Sequence, residues 1–422
     1  MRTLLSLMMM VGLTGLQAGW PHDVGAAPFA YVTNSGDDTV SVIDTDTNIL
    51  IATVPVGQSP FSVAVDPRGI RVYVTNMGDR TVSVIDATRN VVEATVKAGG
   101  FGVAVNPAGT SAYAVGTGAD GVVVSVIDTA TNVVTTTIPI GPTGPGDNVL
   151  ELAVAPDGTV AYLFTTLNTE QYPCLIDRLG CRLVFNAIDL TTNTPSVSRP
   201  LLEQIGGSPR GLTVDPSGTH LYLAHDTPSG GALSIFVAQS PTLSSSVPLI
   251  GPVGVAQRGN RLYATSLDGL SVIDLVTNTI VASIGARNSL AGVAVTPDGK
   301  RVYVANGADN AVWAVDTATN TVVETIPVGR GPVAFGQFIG PANPPFTPLP
   351  TQSPTPTRTP APCAGDCDGD GSVTVDELLK GVNIALGKLS VDHCDSLDSD
   401  HDGTVTVDEI VSAVANALNG CT

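Results

Sequence analysis

Two stretches near the end of the chain carry the densest chemistry. From residue 366 the sequence runs DCDGDGSVTVDE, and from residue 398 it runs DSDHDGTVTVDE. Carboxylates stand at alternate positions and a glutamate ends each run: Asp366, Asp368, Asp370 and Glu377, then Asp398, Asp400, Asp402 and Glu409. This is the pattern of the calcium loop of about twelve residues, matched position for position. A hard cation that takes about six to eight oxygens wants such a donor set. Gly371 and Gly403 permit the sharp turn at the sixth position. Ser372 and Thr404 offer backbone carbonyls at the seventh, and Val373 and Val405 at the eighth are placed to join a small β-bridge between the loops. Thr374 and Thr406 serve at the ninth, directly or through water, and Glu377 and Glu409 close each loop as bidentate ligands. Two Ca²⁺ sites are therefore expected. Mg²⁺ is the poorer match, because a bidentate glutamate suits the larger ion.

A helix must follow each loop to hold its glutamate. Leu378, Leu379, Val382, Ile384, Ala385 and Leu386 give one apolar face, ended by Gly387. Ile410, Val411, Val414, Ala417 and Leu418 give the other, ended by Gly420. Residues 341–362 read PANPPFTPLPTQSPTPTRTPAP, an extended Pro/Thr-rich spacer that leaves no room for a helix before the first loop. Residues 363–422 thus form a small domain, a size at which calcium and disulfides act as staples. This loop-then-helix duplication resembles a paired EF-hand and a dockerin type I module. Dockerins commonly carry Asp at the twelfth position, where this chain has Glu377 and Glu409. The dockerin resemblance implies a cohesin-like partner for the tail.

The whole chain has 422 residues, 19 Lys plus Arg against 38 Asp plus Glu, and a net charge of −19. Nucleic acid and anionic lipid need a basic surface, so neither is an expected partner. The tail holds twelve acids against Lys380 and Lys388, a net −10, so more than half of the imbalance lies there. Abundant Gly, Pro, Val and Thr disfavour a mainly helical fold. The first residues, MRTLLSLMMMVGLTGLQAGW, have the layout of a secretory signal peptide, and residues 1–28 are set aside as signal and leader. No later stretch is apolar for long enough to span a membrane. Secreted, cell-surface or periplasmic placement follows, and six cysteines fit it. Cys174 and Cys181 share one local segment. Cys363, Cys367, Cys394 and Cys421 allow three pairings that spacing leaves open, and a Cys363–Cys421 clasp is the one guessed.

Between residues 29 and 340 the chain repeats itself. Tyr31, Tyr73, Tyr113, Tyr162, Tyr222, Tyr263 and Tyr303 each open a β-rich run: YVTN, YVTN, YAVG, YLFT, YLAH, YATS and YVAN. A second run follows each, as in VSVID. Asn48, Asn90, Asn132, Asn193, Asn278 and Asn320 stand four residues beyond, where a hairpin needs a left-handed residue. A third run, as in ETIPVG, and a fourth with a Pro turn, as in VAVDPRG, complete the unit. Units of about 40 residues with four strands form propeller blades. The expected fold is mainly β: seven four-stranded blades, with the small helical calcium domain appended. The array starts at FAYVTN, a second strand, and finishes at GPVAFGQFIG, a lone first strand, so the last strand is expected to complete the first blade and close the ring. The pattern resembles the YVTN-type β-propeller family over residues 29–340. That resemblance implies an exported or surface-layer setting and a relation to seven-bladed lactonase-like propellers.

Function is less legible in the propeller. One face gathers polar loops, including Asp37, Asp79, Asp120, Asp226, Asp268 and Asp309, which could ring the channel mouth and hold a cation or a sugar. His220 and His225, expected on opposite faces, cannot build a multi-histidine site. No nucleophile elbow or phosphate loop is present. The reading is a binding or scaffold protein whose loop face takes a protein or carbohydrate, with no catalytic or cofactor-binding residues assigned. The competing reading is a lactonase-like or carbohydrate-active hydrolase or lyase tethered through its tail. Paired carboxylates deep in a pocket would favour the enzyme.

Overall fold

The computed structural model describes residues 28–141, 151–167, 182–201, 208–227, 230–286, 290–342, 364–368, 372–400 and 402–419. The chain separates into two compact units, Met1–Thr347 and Pro348–Thr422.

The first unit is a seven-bladed propeller of four-stranded antiparallel sheets. Blade one holds Pro28–Asn34, Thr39–Asp44 and Ile49–Pro55, with Ile339–Ala342 on its inner edge. Blades two to seven follow in chain order over 60–96, 103–141, 152–200, 209–248, 255–285 and 290–327. The two middle strands of a blade are packed on both faces, so they read as continuous apolar runs; Arg71–Asn76 and Thr81–Asp86 are buried almost throughout. The outer strands alternate instead, as Val91–Val96 does, with one face in water. All seven repeat tyrosines are buried.

The hairpin chemistry is the one expected. Asn48, Asn90, Asn132, Asn193, Asn278 and Asn320 all adopt φ between 53° and 58°. The aspartate before each closes the turn: Asp44 Oδ1 accepts from Asp46 N at 2.8 Å and Thr47 N at 3.1 Å. Asp86, Asp128, Asp189, Asp274 and Asp316 do likewise.

The ring closes as the repeat boundary predicted. Ala30 pairs with Ile339 and Pro28 with Ala342, and Tyr31 N donates to Phe338 O at 2.9 Å. Upstream of that strand, residues 332–338 run along the inner edges of the first two blades. Phe335 packs on Phe61 with ring centroids 4.8 Å apart, and Ser62 Oγ donates to Phe335 O at 3.2 Å.

The second unit contains helix α1, Val375–Ala385, and helix α2, Val407–Asn419, with two short 3₁₀ turns between them. Its core is small: Ile384, Cys394, Leu397, Val405 and Ala413. Among the described residues, none of the helices is long and apolar enough to cross a membrane. The helix faces differ from the expected ones. Gly381 and Ile384 of α1 and Ala413 of α2 turn inward, with Leu378 and Ile410 packed against them. Leu379, Val382, Leu386, Val411, Val414 and Leu418 stay exposed. The reason is size: one inward residue per turn fills a core this small, and Gly381 lets Leu397 approach closely. Cys367 pairs with Cys394, with Cα atoms 4.6 Å apart, which resolves one of the open pairings. The guessed Cys363–Cys421 clasp, and Cys174 and Cys181, lie outside the described residues.

Candidate metal centres and the propeller channel

The two acidic loops repeat one hydrogen-bond pattern. Glu377 Oε1 accepts from Cys367 N at 2.7 Å, and its Oε2 accepts from Thr374 N at 2.7 Å and Thr374 Oγ1 at 2.8 Å. Glu409 Oε1 accepts from Ser399 N at 2.8 Å, and its Oε2 from Thr406 N at 2.8 Å and Thr406 Oγ1 at 3.1 Å. Cys367 and Ser399 are both second in their loops, and Thr374 and Thr406 are both ninth. Each closing glutamate therefore ties the start of its loop to its end. The same bonds cap α1: Thr374 and Glu377 form a reciprocal capping box. In the second loop Asp398 organises the turn, accepting from Asp402 N at 3.0 Å and Gly403 N at 2.8 Å, with Gly403 at φ 84°.

These bonds gather negative charge. Asp366, Asp368 and Glu377 bring carboxylate oxygens within 4.8 Å of one another, and so do Asp398, Asp400 and Glu409. Glu377, Asp398 and Glu409 are buried, and none of the three takes part in an ion pair of the described residues. Burial alone would raise the Glu377 pKa, but hydrogen bonds from Thr374 and Cys367 hold it below the ordinary carboxyl value. Backbone hydrogen bonding from Thr406, opposed by burial and reinforced by Ser399, takes Glu409 down to about 2. Both acids are thus kept ionised. Three carboxylates in one small space repel when charged, and a cation among them removes that repulsion. The two clusters can hold metal ions on this ground.

Not every expected ligand joins its cluster. Asp402 stands apart, accepting from Thr404 N at 2.8 Å and Thr404 Oγ1 at 2.7 Å. The Thr374 and Thr406 hydroxyls lie on the glutamates, and Ser372 is exposed. Asp370 and Gly371 lie outside the described residues. Val373 and Val405 are buried, but among the described residues no β-bridge joins the two loops. The Cys367–Cys394 disulfide and the bond from Ser396 Oγ to Asp366 O at 2.7 Å instead tie the first loop to the segment just before the second.

In the propeller, the acids expected to ring the mouth are largely committed to their own loops. Asp37 pairs with Arg330 at 2.6 Å, and Asp226 with Arg210 at 2.8 Å. Asp79 accepts from Gln58 N at 3.0 Å and Thr81 Oγ1 at 2.6 Å, and Asp309 from Asn306 Nδ2 at 2.9 Å. Asp120 and Asp268 are exposed. His225 is buried at a strand end, with Nε2 2.9 Å from Ser234 Oγ.

The propeller also holds a buried carboxyl that departs from the repeat. Glu151 stands just before the inner strand of blade four, Leu152–Val154, and is buried. Its Oε2 accepts from Leu212 N of blade five at 2.6 Å, and its Oε1 from Gly336 N of the closing segment at 2.7 Å. Burial pushes its pKa up to about 7 against those two bonds. One carboxyl thereby ties together three parts of the ring. A signal existed: the matching residue in other blades is Ser62, Gly102, Gly211, Gly254 or Gly292, all small. Space there is tight, since a Cβ on Gly211 would meet Val253 O at 2.7 Å and one on Gly254 would meet Ala291 O at 2.7 Å.

No family model matches the chain. Antigen Lp49 of Leptospira interrogans serogroup Icterohaemorrhagiae serovar copenhageni is 28% identical over 164 residues, which is 32% of this chain and 35% of the relative. The chain spans about a third of the length of that curated relative. Among solved structures, Kuenenia stuttgartiensis hydrazine synthase is similar with a TM-score of 0.58 and 22% identity, over 68% of this chain and 92% of that one. A functionally unknown protein from Desulfotomaculum acetoxidans DSM 771 gives 0.56 and 16%, over 74% and 100% of the two chains. These likenesses show the propeller fold.

Proposed function

We propose that this is an exported calcium-binding propeller protein, in which the propeller is a binding module and the tail a calcium-stabilised docking domain. The observation that carries the reading is the matched pair of acidic loops, each closed by its own glutamate. Asp366, Asp368, Asp370, Ser372, Thr374 and Glu377 would hold one Ca²⁺. Asp398, Asp400, Asp402, Thr404, Thr406 and Glu409 would hold the other. The Cys367–Cys394 disulfide supports an oxidising compartment, outside the cell or in the periplasm. Docking is supported by the unexpected helix faces. Val375, Leu379 and Val382 on α1, with Leu386 at its C-cap, repeat as Val407, Val411, Val414 and Leu418 on α2, all eight exposed. Two equivalent apolar stripes suit a protein partner, and a cohesin-like domain is the one that the dockerin resemblance suggests. The YVTN and EF-hand resemblances belong to this same reading.

Calorimetry on the full chain, with Ca²⁺ titrated after chelation, tests it. Two Ca²⁺ per chain are expected. Absence of Ca²⁺ uptake would overturn the proposal. Capture of exported proteins with and without Ca²⁺ then tests docking, which should be lost in chelator.

A further inference from the structure

Blade three breaks the repeat at two places, and the breaks meet in one cleft. In six blades the fourth residue of the YVTN run is a hydrogen-bonding side chain: Asn34, Asn76, Thr165, His225, Ser266 and Asn306. Most of these bond the following strand. Asn76 Nδ2 donates to Thr81 Oγ1 at 2.9 Å and to Ser83 Oγ at 3.0 Å. Asn34 does the same with Thr39 at 3.0 Å and Ser41 at 2.9 Å. In blade three the residue is Gly116, facing Val123 where blades one and two have Thr39 and Thr81. Ser125, matching Ser41 and Ser83, makes none of the bonds that they make. It is only 6% exposed. The second break is in the connection: Val96 to Val103 is two residues shorter than Val54 to Val63. At the earlier junction those residues cover the loop, with Gln58 O accepting from Gly78 N at 2.9 Å and Ser59 O from Met77 N at 3.0 Å.

The result is a cleft of about 680 Å³ between blades two and three, with Gly116, Val123 and Ser125 in its lining. That volume falls within the range of small-molecule sites, about 300–1,000 Å³. Arg80 and Lys97 also line it, as does Phe101. Most basic side chains of the described propeller, from Arg68 on Asp66 to Arg330 on Asp37, hold a carboxylate. Arg80 and Lys97 form no such pair with the described residues. Two uncommitted cations in one cleft of a chain with net charge −19 are an electrostatic exception. Asp79, the acid in the lining, is held by Gln58 N and Thr81. The lining therefore carries a local excess of one positive charge.

We propose that this cleft binds a small monovalent carboxylate of about the size of a uronic acid. Arg80 and Lys97 take the carboxylate, the Ser125 hydroxyl supplies a buried hydrogen bond, and Phe101 offers an apolar wall. A single negative charge matches the local excess, which a phosphate dianion would exceed. The proposal rests on the propeller being a binding module and adds a location and a ligand class. It does not depend on calcium in the tail.

The test is calorimetry of the full chain with D-galacturonate, D-glucuronate, D-galactose and inorganic phosphate, in Ca²⁺ and in chelator. One uronate per chain is expected, equally in both buffers, with galactose and phosphate at least tenfold weaker. Arg80→Gln with Lys97→Gln, both exposed positions, should lower uronate affinity at least tenfold and leave thermal unfolding unchanged. Ser125→Ala should lower it less. Filling the cleft through Gly116 is the poorer test, because a Cβ there would meet Gly99 Cα at 2.8 Å. No uronate uptake, unchanged affinity in the double variant, or equal uptake of phosphate would overturn the carboxylate site. Uptake of galactose without uronate would also overturn it, while leaving the propeller a binding module.

Discussion

The propeller spreads its stability over seven nearly equal blades, whereas the tail concentrates its own in five core residues, one described disulfide and two knots of carboxylates. In the propeller each buried tyrosine has six counterparts, and apolar clusters run from blade to blade. In the tail, the residues that fix the loops are the charges that repel one another. The difference teaches that one unit is held by redundancy and the other by a few strong, condition-dependent links. Each can be broken, and the size of the break differs.

The largest effect should come from the one place where the propeller is not redundant. Deleting residues 332–342 strips blade one of its inner strand and removes the buried Phe335, Phe338 and Ile339. That burial is worth roughly 5–9 kcal/mol, comparable to the whole stability of an ordinary domain, about 5–15 kcal/mol. Loss of the cooperative melt is expected by circular dichroism, and a near-parental melt would show that closure is dispensable.

Next in size is the tail. Glu377→Ala should weaken Ca²⁺ at the first loop by roughly 100-fold, about 3 kcal/mol. Ser372→Ala should change it little, because the seventh position uses its backbone carbonyl. Equal losses in calcium titrations would remove that distinction and with it the assigned ligand roles.

A smaller, pH-dependent effect belongs to Glu151. Its pKa is raised from 4.5 to about 7 by burial. Between those values the folded chain holds more protons than the unfolded one, so stability falls as pH rises through about 7 and is fullest below 4.5. The change is roughly 3 kcal/mol. Urea midpoints for the parent should drop from pH 5 to pH 8, and Glu151→Gln should flatten that drop. An equally steep drop in the variant would assign it to other groups.

The smallest effect tests redundancy directly. Asn278→Ala, at φ 53°, should cost about 1–2 kcal/mol, and Asn278→Gly much less. If alanine cost nothing by urea titration, the left-handed turn would not matter to the blade.

Sequence was most informative where chemistry repeats. Seven tyrosines, six turn asparagines and two acidic loops each announced themselves by recurrence, and the lone GPVAFGQFIG strand announced the closure. What stayed hidden were the single exceptions. Glu151 stands where other blades carry glycine or serine, and Gly116 stands where they carry a polar side chain. Both were visible as departures, but their meaning needed the neighbours that the fold supplies. The helix faces differ from the apolar pattern for a related reason: periodicity finds apolar residues without saying how many of them a small core can take. The Cys367–Cys394 pairing depended on how the two loops meet, which spacing does not encode.

Closure also sets an order of events. Tyr31 hydrogen-bonds Phe338, more than three hundred residues away. A chain growing from its N-terminus can pair the strands of blades two to seven locally, but blade one must wait for residue 342. Contacts of such long range form slowly, since the entropy of closing the loop is lost before any bond is gained. Until then Pro28–Asn34 carries an open edge able to pair with another chain. The ring is therefore a latch that engages last, and the interval before it engages is when the molecule is most exposed to aggregation and most easily kept unfolded by a chaperone.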